Sequence, residues 1–571
     1  MIEKGEIVMT ALKTTKKTLQ VIAFAAEYHK HITPITHHLS NGGDVCFYAN
    51  NFVIADYLKK DFTIESFTKL FDLCKQKGVF DLHFCNHIPS VTFNAAAKHM
   101  TRKWPRDHMG MMPLIEDKYS DELWLGLLEW AKAYNSPKEI KAFELIFKDP
   151  KKACFNEGIS HTFWQGKEGN LSRDNSWKMH QRIESHGELL RYMAKNSLKR
   201  ILNHLALPQD IITAIVYFTH YLYVQGLSPQ SCGAWEEIPF KNGINWDDAS
   251  VILAFSEVVS LINELKKQPQ IYKKFLNAEK KITQKFKLAL LFAMPDNLST
   301  FIKESLKLIR HFYLDEFRGS SKRIDSSCVM LCAEKIDLSC NHNLQTNIAK
   351  HLRMLQHWER KLVHEFGAWR YNNFFTKVDN RDICSCDSYL NLNYYLLCDN
   401  NGHLCLNKVD FDKGDNAKKS DNGVNHFKLR GKNMAEKTSA QWGLPLSYAA
   451  IAFGRLTSLL LDVKEQKGSL SMKEKALLKQ CVNKNQEYIK RTYANISGCF
   501  SDGSLFLKAD GNQIKPFCKP EAYQAVTSKL NTKQFAFIPG VNDHLGWDAA
   551  KCYEASKLFL DNLRRLKKLK I

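Results

Sequence analysis

A mainly α protein, its helices paired into a closed toroid with long loops and minor β elements, is what the sequence predicts from three observations. Apolar residues recur at steps of three, four and seven along most of the 571 residues. Strand-like alternation is confined to short runs, and no unit repeats at a fixed period, which disfavours an open solenoid. In order, helical stripes cover residues 16–30, 121–133, 185–205, 209–225, 248–266, 271–290, 297–311, 346–366, 446–462, 472–492 and 548–566. The stripe at 346–366 is typical: Ile348, Leu352, Leu355, Leu362 and Phe366 share one helical face. Strand-like runs span Asp44 to Ile54, Val79 to Phe84 and Leu404 to Phe411, each bounded by Gly or Asn turn signals. No Pro/Gly/Ser-rich linker divides the chain. A single domain over 1–571 is therefore expected, with residues 1–85 as a small N-terminal elaboration.

Charge and cysteine content bound the function. The chain carries 81 Lys+Arg against 60 Asp+Glu, a formal +21, which favours anionic partners. Yet its densest stretches, Lys266 to Lys287 and Arg564 to Lys570, interleave Lys with Ile, Phe and Leu as solvated faces of amphipathic helices do. With no nucleic-acid reader motif beside the charge, nucleic acid is not the expected partner. The 16 cysteines are scattered and suit reduced thiols in a cytosolic compartment. Cys384-Ser-Cys386 has no second pair to complete a metal site, and His29, His31, His37 and His38 straddle the Pro34 turn as surface histidines do, so no metal or cofactor is expected. No uncharged apolar run is long enough to insert in a membrane, and the first residues lack the pattern of a classical secretion signal. Delivery into another cell by a specialised secretion system would leave no such mark.

The chemistry-bearing residues are acidic and aromatic. Trp235-Glu236-Glu237 sets paired carboxylates beside an indole, and with Ala234 and Cys232 nearby Glu236 has the apolar surroundings that keep a carboxyl protonated near neutral pH. Hydrolysing a glycoside requires such an acid together with a second carboxylate that attacks or activates water. Arg106-Asp107 sets a planar donor fork beside an acceptor, suited to vicinal hydroxyls but also to a surface ion pair. Trp104 and Trp177 suit walls for sugar faces and, equally, core positions. Arg370-Tyr371 after Trp369 offers a fixed cation for substrate oxygens or for a structural salt bridge.

Taken in order, Trp104-Pro-Arg-Asp107, Trp177 with Gln181-Arg182, Trp235-Glu236-Glu237, Gly367-Ala-Trp-Arg370-Tyr371 and Glu436 ahead of Pro445-Leu-Ser-Tyr-Ala-Ala450 resemble glucoamylase and its relatives in glycoside hydrolase family 15. The resemblance spans about residues 95 to 460. It implies an (α/α)6 barrel and an exo-acting, inverting hydrolase that releases glucose from non-reducing ends of α-1,4-glucans, glycogen being the natural cytosolic polymer. It further implies Glu236 as general acid and Glu436 as base. Trp104, Arg106, Asp107, Trp177, Gln181, Arg182, Trp235, Glu237, Arg370 and Tyr371 would contact substrate. Leu446 stands where the family usually has Trp, Ile183-Glu-Ser-His-Gly187 where an Asp-Gly form is expected, and Gly233 where many relatives have Asp. Glu521, in Lys519-Pro-Glu-Ala-Tyr523, is a second candidate for the base. These departures motivate one alternative, an inactive carbohydrate-binding or regulatory barrel, and the net charge motivates another, a basic protein that binds nucleic acid or membrane surfaces.

Overall fold

The computed structural model describes residues 35–38, 44–47, 51–90, 103–150, 164–165, 171–173, 183–226, 245–314, 376–378, 381–383, 394–398, 404–408, 440–498, 516–519, 522–528, 534–539 and 544–570. Most of these are helical, so the protein belongs to the mainly α class. The described helices are α1 (Phe52–Leu58), α2 (Ile64–Gln76), α3 (Pro105–Lys118), α4 (Ser120–Tyr134), α5 (Pro137–Lys148), α6 (Ile183–Leu202) and α7 (Gln209–Gln225). They continue with α8 (Asn245–Leu265), α9 (Pro269–Phe286), α10 (Asp296–Leu314), α11 (Gly443–Lys467), α12 (Met472–Ala494) and α13 (Gly546–Lys568).

Nine of the helical stripes correspond to α4, α6 to α10 and α11 to α13, while those at 16–30 and 346–366 lie outside the described residues. Two strand expectations need correction. The run from Asp44 holds a strand over Asp44–Phe47, but Phe52 begins α1 because the Asn51 side chain accepts hydrogen bonds from the backbone N–H of Val53 at 3.1 Å and of Ile54 at 3.3 Å. The run Val79 to Phe84 is mostly the turn that closes α2. Val79 N–H donates to the Cys74 carbonyl at 3.0 Å and Gly78 takes φ +76°. Val79 and Phe80 are fully buried against the helix they follow, the usual apolar plug behind a glycine-ended helix. Leu404 to Phe411 holds a strand over Leu404–Lys408.

The helices fall into two groups by burial. Helices α2, α5 and α9 bury one stripe each, for example Phe67, Leu70, Phe71 and Cys74 in α2, as helices with one solvated face do. Helices α3 and α13 are enclosed almost all round in their N-terminal halves, and α8 and α11 are similarly apolar. These enclosed helices pack in succession: α11 on α13, α13 on α3, α3 on α6, α6 on α8 and α8 on α10. Behind them lie α12 against α11 and α13, α2 against α13, α4 against α3, and α7 among α4, α5, α6 and α9. Helix α13, last in sequence, thus meets α3, an early one. One continuous apolar core runs through the described residues from Ile54 to Leu560 and includes α1 and α2.

The β structure is local. Antiparallel pairs join β1 (Ile35–His38) to β2 (Asp44–Phe47), β3 (Phe84–Cys85) to β4 (Ile88–Pro89), β5 (Trp164–Gln165) to β6 (Ser172–Arg173), β7 (Thr376–Val378) to β8 (Arg381–Ile383), and β9 (Tyr394–Cys398) to β10 (Leu404–Lys408). The three-stranded sheet β11 (Ala440–Trp442), β12 (Ala522–Ser528), β13 (Gln534–Pro539) brings together the segments that lead into α11 and α13, with Gln441 opposite Tyr523. One stretch, Leu446–Lys467, has the length and apolarity of a membrane span, but 78% of its apolar window is buried within the protein, as befits a core helix.

Candidate functional site

Four enclosed helices bring their N-terminal halves to one cleft of about 490 Å³, its solvent-filled mouth included. Its walls are Arg106, Met109, Gly110 and Pro113 from α3, Ser185, Glu188, Arg191 and Tyr192 from α6, Tyr448 and Arg455 from α11, and Trp547, Lys551 and Glu554 from α13. Within each helix these positions fall at steps of three, four or seven and so occupy a single face. Arg106 meets Trp547 while Asp117 meets Lys557, and Ser447 meets Asp548 while Asp462 meets Arg565, so α3 and α11 run in the same sense as α13.

Local sequence explains how Arg106 reaches the wall. Pro105 stands at the start of α3, where its missing N–H leaves no helical bond unmade, and Asp107 lies in the first turn beside the positive helix end. Two residues before Pro105, Lys103 exchanges two 2.8 Å backbone hydrogen bonds with Trp164. Trp164 is itself buried against Trp130 and Tyr134. This bridge fixes where the chain enters α3. Arg106 and Asp107 are both buried, with Nε and Oδ2 3.6 Å apart, an ion pair too long for a hydrogen bond. Trp104 is half-buried at the helix cap.

The cleft is polar and charged on all sides. Glu554 accepts from Lys551 Nζ at 2.9 Å and Arg455 Nη2 at 3.0 Å. Burial is the largest influence on its carboxyl and pushes it up, but the two cations together hold it below the usual glutamate range. Glu188 pairs with Arg191 at 3.3 Å. Burial raises the Tyr192 phenol well above its ordinary value, so it stays a proton donor at neutral pH. The Trp547 indole N–H donates to the Tyr448 hydroxyl at 3.0 Å. Lys551 Nζ lies 5.1 Å from the centre of the Tyr448 ring. Alternating fixed donors and acceptors of this kind suit a polyhydroxylated ligand. Among the described residues no group of three or more His, Cys, Asp or Glu side chains is arranged to hold a metal ion.

A clamp beneath the cleft fixes α11 to α13. Ser447 Oγ donates to Asp548 Oδ1 at 2.6 Å, and Lys519 Nζ lies 3.2 Å from Asp548 Oδ2 and donates to the Thr492 carbonyl at 2.9 Å. Lys519 and Asp548 are fully buried. Desolvation raises the Asp548 carboxyl, with Lys519 and then Ser447 opposing.

Of the residues expected from sequence, Arg106 lines this cleft, Asp107 adjoins it and Trp104 caps the helix that carries both. Trp177, Gln181, Arg182, Trp235, Glu236, Glu237, Arg370, Tyr371, Glu436 and the second base candidate Glu521 lie outside the described residues, as do Gly233, Cys384 and Cys386. His37 and His38 fall in β1, and Leu446 is a fully buried core residue of α11. Sequence reasoning missed Glu188, Arg191, Arg455, Trp547, Lys551 and Glu554. Glu188 and Arg191, like Lys551 and Glu554, stand at helical spacing, but on helices that also carry solvated charged faces nothing in the sequence marks them as cleft walls. Comparison with protein-family models and with curated protein sequences finds no match for this chain.

Proposed function

We propose that this chain is a glucoamylase-like exo-glycosidase on an (α/α)6 toroid, acting by inversion on non-reducing ends of α-1,4-glucans such as cytosolic glycogen. Glu236 protonates the glycosidic oxygen and Glu436 deprotonates the attacking water. Arg106 and Asp107 grip the terminal sugar, with Trp104, Trp177, Gln181, Arg182, Trp235, Glu237, Arg370 and Tyr371 completing the substrate contacts.

One observation carries the reading. Four of the five sequence motifs stand at or before the start of an enclosed helix in sequence: Trp104 caps α3, Arg182 is the residue before α6, Trp235-Glu236-Glu237 precedes α8 and Glu436 precedes α11. Three of those helices, α3, α6 and α11, turn their N-terminal halves to the same polar cleft, and α8 packs along α6. Loops that precede co-oriented helices open at one end of the bundle, where loop-borne groups can meet. The strands that follow Glu436 and Glu521 in sequence are hydrogen-bonded neighbours. The packing of α13 on α3 joins the late helices to the early ones, one of the contacts a ring requires.

A second reading, a catalytically silent carbohydrate-binding barrel, is favoured by Leu446, which is buried in the core where relatives carry Trp. Glu236→Gln and Glu436→Gln decide between them. The enzyme reading expects each to lower glucose release from glycogen at least about a thousandfold while glycan binding persists. Glycan binding by the unaltered protein without any sugar release supports the binding barrel.

A further inference from the structure

We propose that Trp547 is a positioning residue for Arg106: the indole, locked between α3 and α11, holds the guanidinium in the orientation that a grip on the terminal sugar requires. This inference rests on the role just given to Arg106 and extends it to a residue on the last helix.

Both residues occupy the first turn of their helices, and the Arg106 guanidinium carbon lies 5.4 Å from the centre of the Trp547 ring. That distance suits attraction between a cation and an indole face, the strongest of the aromatic faces. The indole is held firmly. Trp547 is 2% exposed, its N–H donates to Tyr448 at 3.0 Å, and the two rings stand nearly perpendicular at 88°. On the α3 side it occupies the space of an absent side chain. A Cβ on Gly110 would lie 2.2 Å from the indole Nε1 and 2.3 Å from Cδ1. Glycine one turn after Arg106 therefore lets the ring sit where it meets the guanidinium, and three helices converge on one stacked pair.

The test combines a spectroscopic readout with kinetics. In the wild-type protein the Arg106 side-chain Nε–Hε resonance, assigned by its loss in Arg106→Lys, should carry an upfield ring-current shift. Trp547→Phe should largely keep that shift and the KM for maltotriose, whereas Trp547→Leu should abolish the shift. It should also raise KM about tenfold, with kcat changed less than about threefold. In an Arg106→Lys background Trp547→Leu should add nothing further to KM. A folded Trp547→Leu protein with an unmoved Arg106 resonance, or effects on KM that simply multiply, would overturn the proposal. Should Trp547→Leu fail to fold, Tyr448→Phe removes only the acceptor of the indole N–H; an Arg106 resonance that moves supports the proposal and one that stays overturns it. A wild-type protein that binds and cleaves no glucan sinks the glycosidase reading, while the resonance comparison still decides whether Trp547 orients Arg106.

Discussion

Arg106 and His108 sit two residues apart on α3 and face opposite needs. Arg106 turns a fixed cation to the cleft, while His108 is buried away from water with its Nδ1 accepting the Trp130 indole N–H at 2.9 Å, which leaves the proton on Nε2. Burial, helped by Lys103, lowers the His108 pKa to about 3. A histidine near 6.5 in the unfolded chain then takes up a proton that the native state refuses, so its contribution to stability is complete above about pH 6.5 and declines as the pH falls toward 3. Denaturant unfolding at a series of pH values should give His108→Gln a flatter acid limb than wild type, the difference approaching roughly 5 kcal/mol at the limit. Parallel limbs would contradict this. For the cleft, Arg106→Ala and Asp107→Ala should each lower kcat/KM about ten- to a hundredfold on maltose and on long glucans alike, since a terminal-sugar grip enters every productive complex. Unchanged rates on maltose in both variants would make the pair structural. The sequence singled out Arg106-Asp107 because a planar donor fork beside an acceptor is legible in two letters. Lys551 and Glu554 were not, because a charged residue on a helix usually means solvent and only packing by three other helices makes it a cleft wall.

At the scale of elements, nine helices were read with ends within a turn or so, since periodicity reports a face directly, but α2 and α5 were not read although each buries a single apolar stripe. Helix α3 was not read. Its Pro-Arg-Asp start and internal Gly110 and Pro113 look like a loop, and its burial on all sides erases the alternation of polar and apolar faces. The opposite error occurred at Val79–Phe80, where an apolar pair that closes a helix resembled a strand. Helix α9 carries the clearest element-scale prediction. Its Glu279, nearly fully buried, lies 3.3 Å from His220 and accepts backbone N–H bonds from Leu291, Phe292 and Ala293 at 2.5, 2.7 and 3.0 Å. These bonds bind the turn after α9 back onto it. Burial is the largest influence and raises its carboxyl, but His220 and the backbone donors together leave it below the usual range. A depressed carboxylate stabilises above its unfolded pKa and loses that contribution as pH falls through the folded value. Glu279→Gln should therefore cost about 2 kcal/mol near neutral pH and progressively less below about pH 4. A cost independent of pH would show that shape rather than charge matters.

For the whole molecule, the decisive contacts join parts far apart in sequence. The Lys519–Asp548–Ser447 clamp ties α11, the end of α12 and α13 together where two of them form the cleft. Asp548→Ala would leave Lys519 charged and buried beside a lost partner, with an expected loss of about 3 to 5 kcal/mol by denaturant unfolding; a loss below about 1 kcal/mol would show that the pair is dispensable. No sequence pattern announces such a clamp, because burial of both partners depends on the packing of α13. The mainly α class was legible because periodicity is local. That four helix starts share one polar cleft was not, since it is a property of the assembled bundle. The central claim is that Glu236 and Glu436 act across a water in single displacement. Proton NMR of glucose released from a maltooligosaccharide, recorded within the first minutes before the anomers equilibrate, tests it most directly. Initial β-glucose is the predicted result, and initial α-glucose, or no release at all, would contradict it.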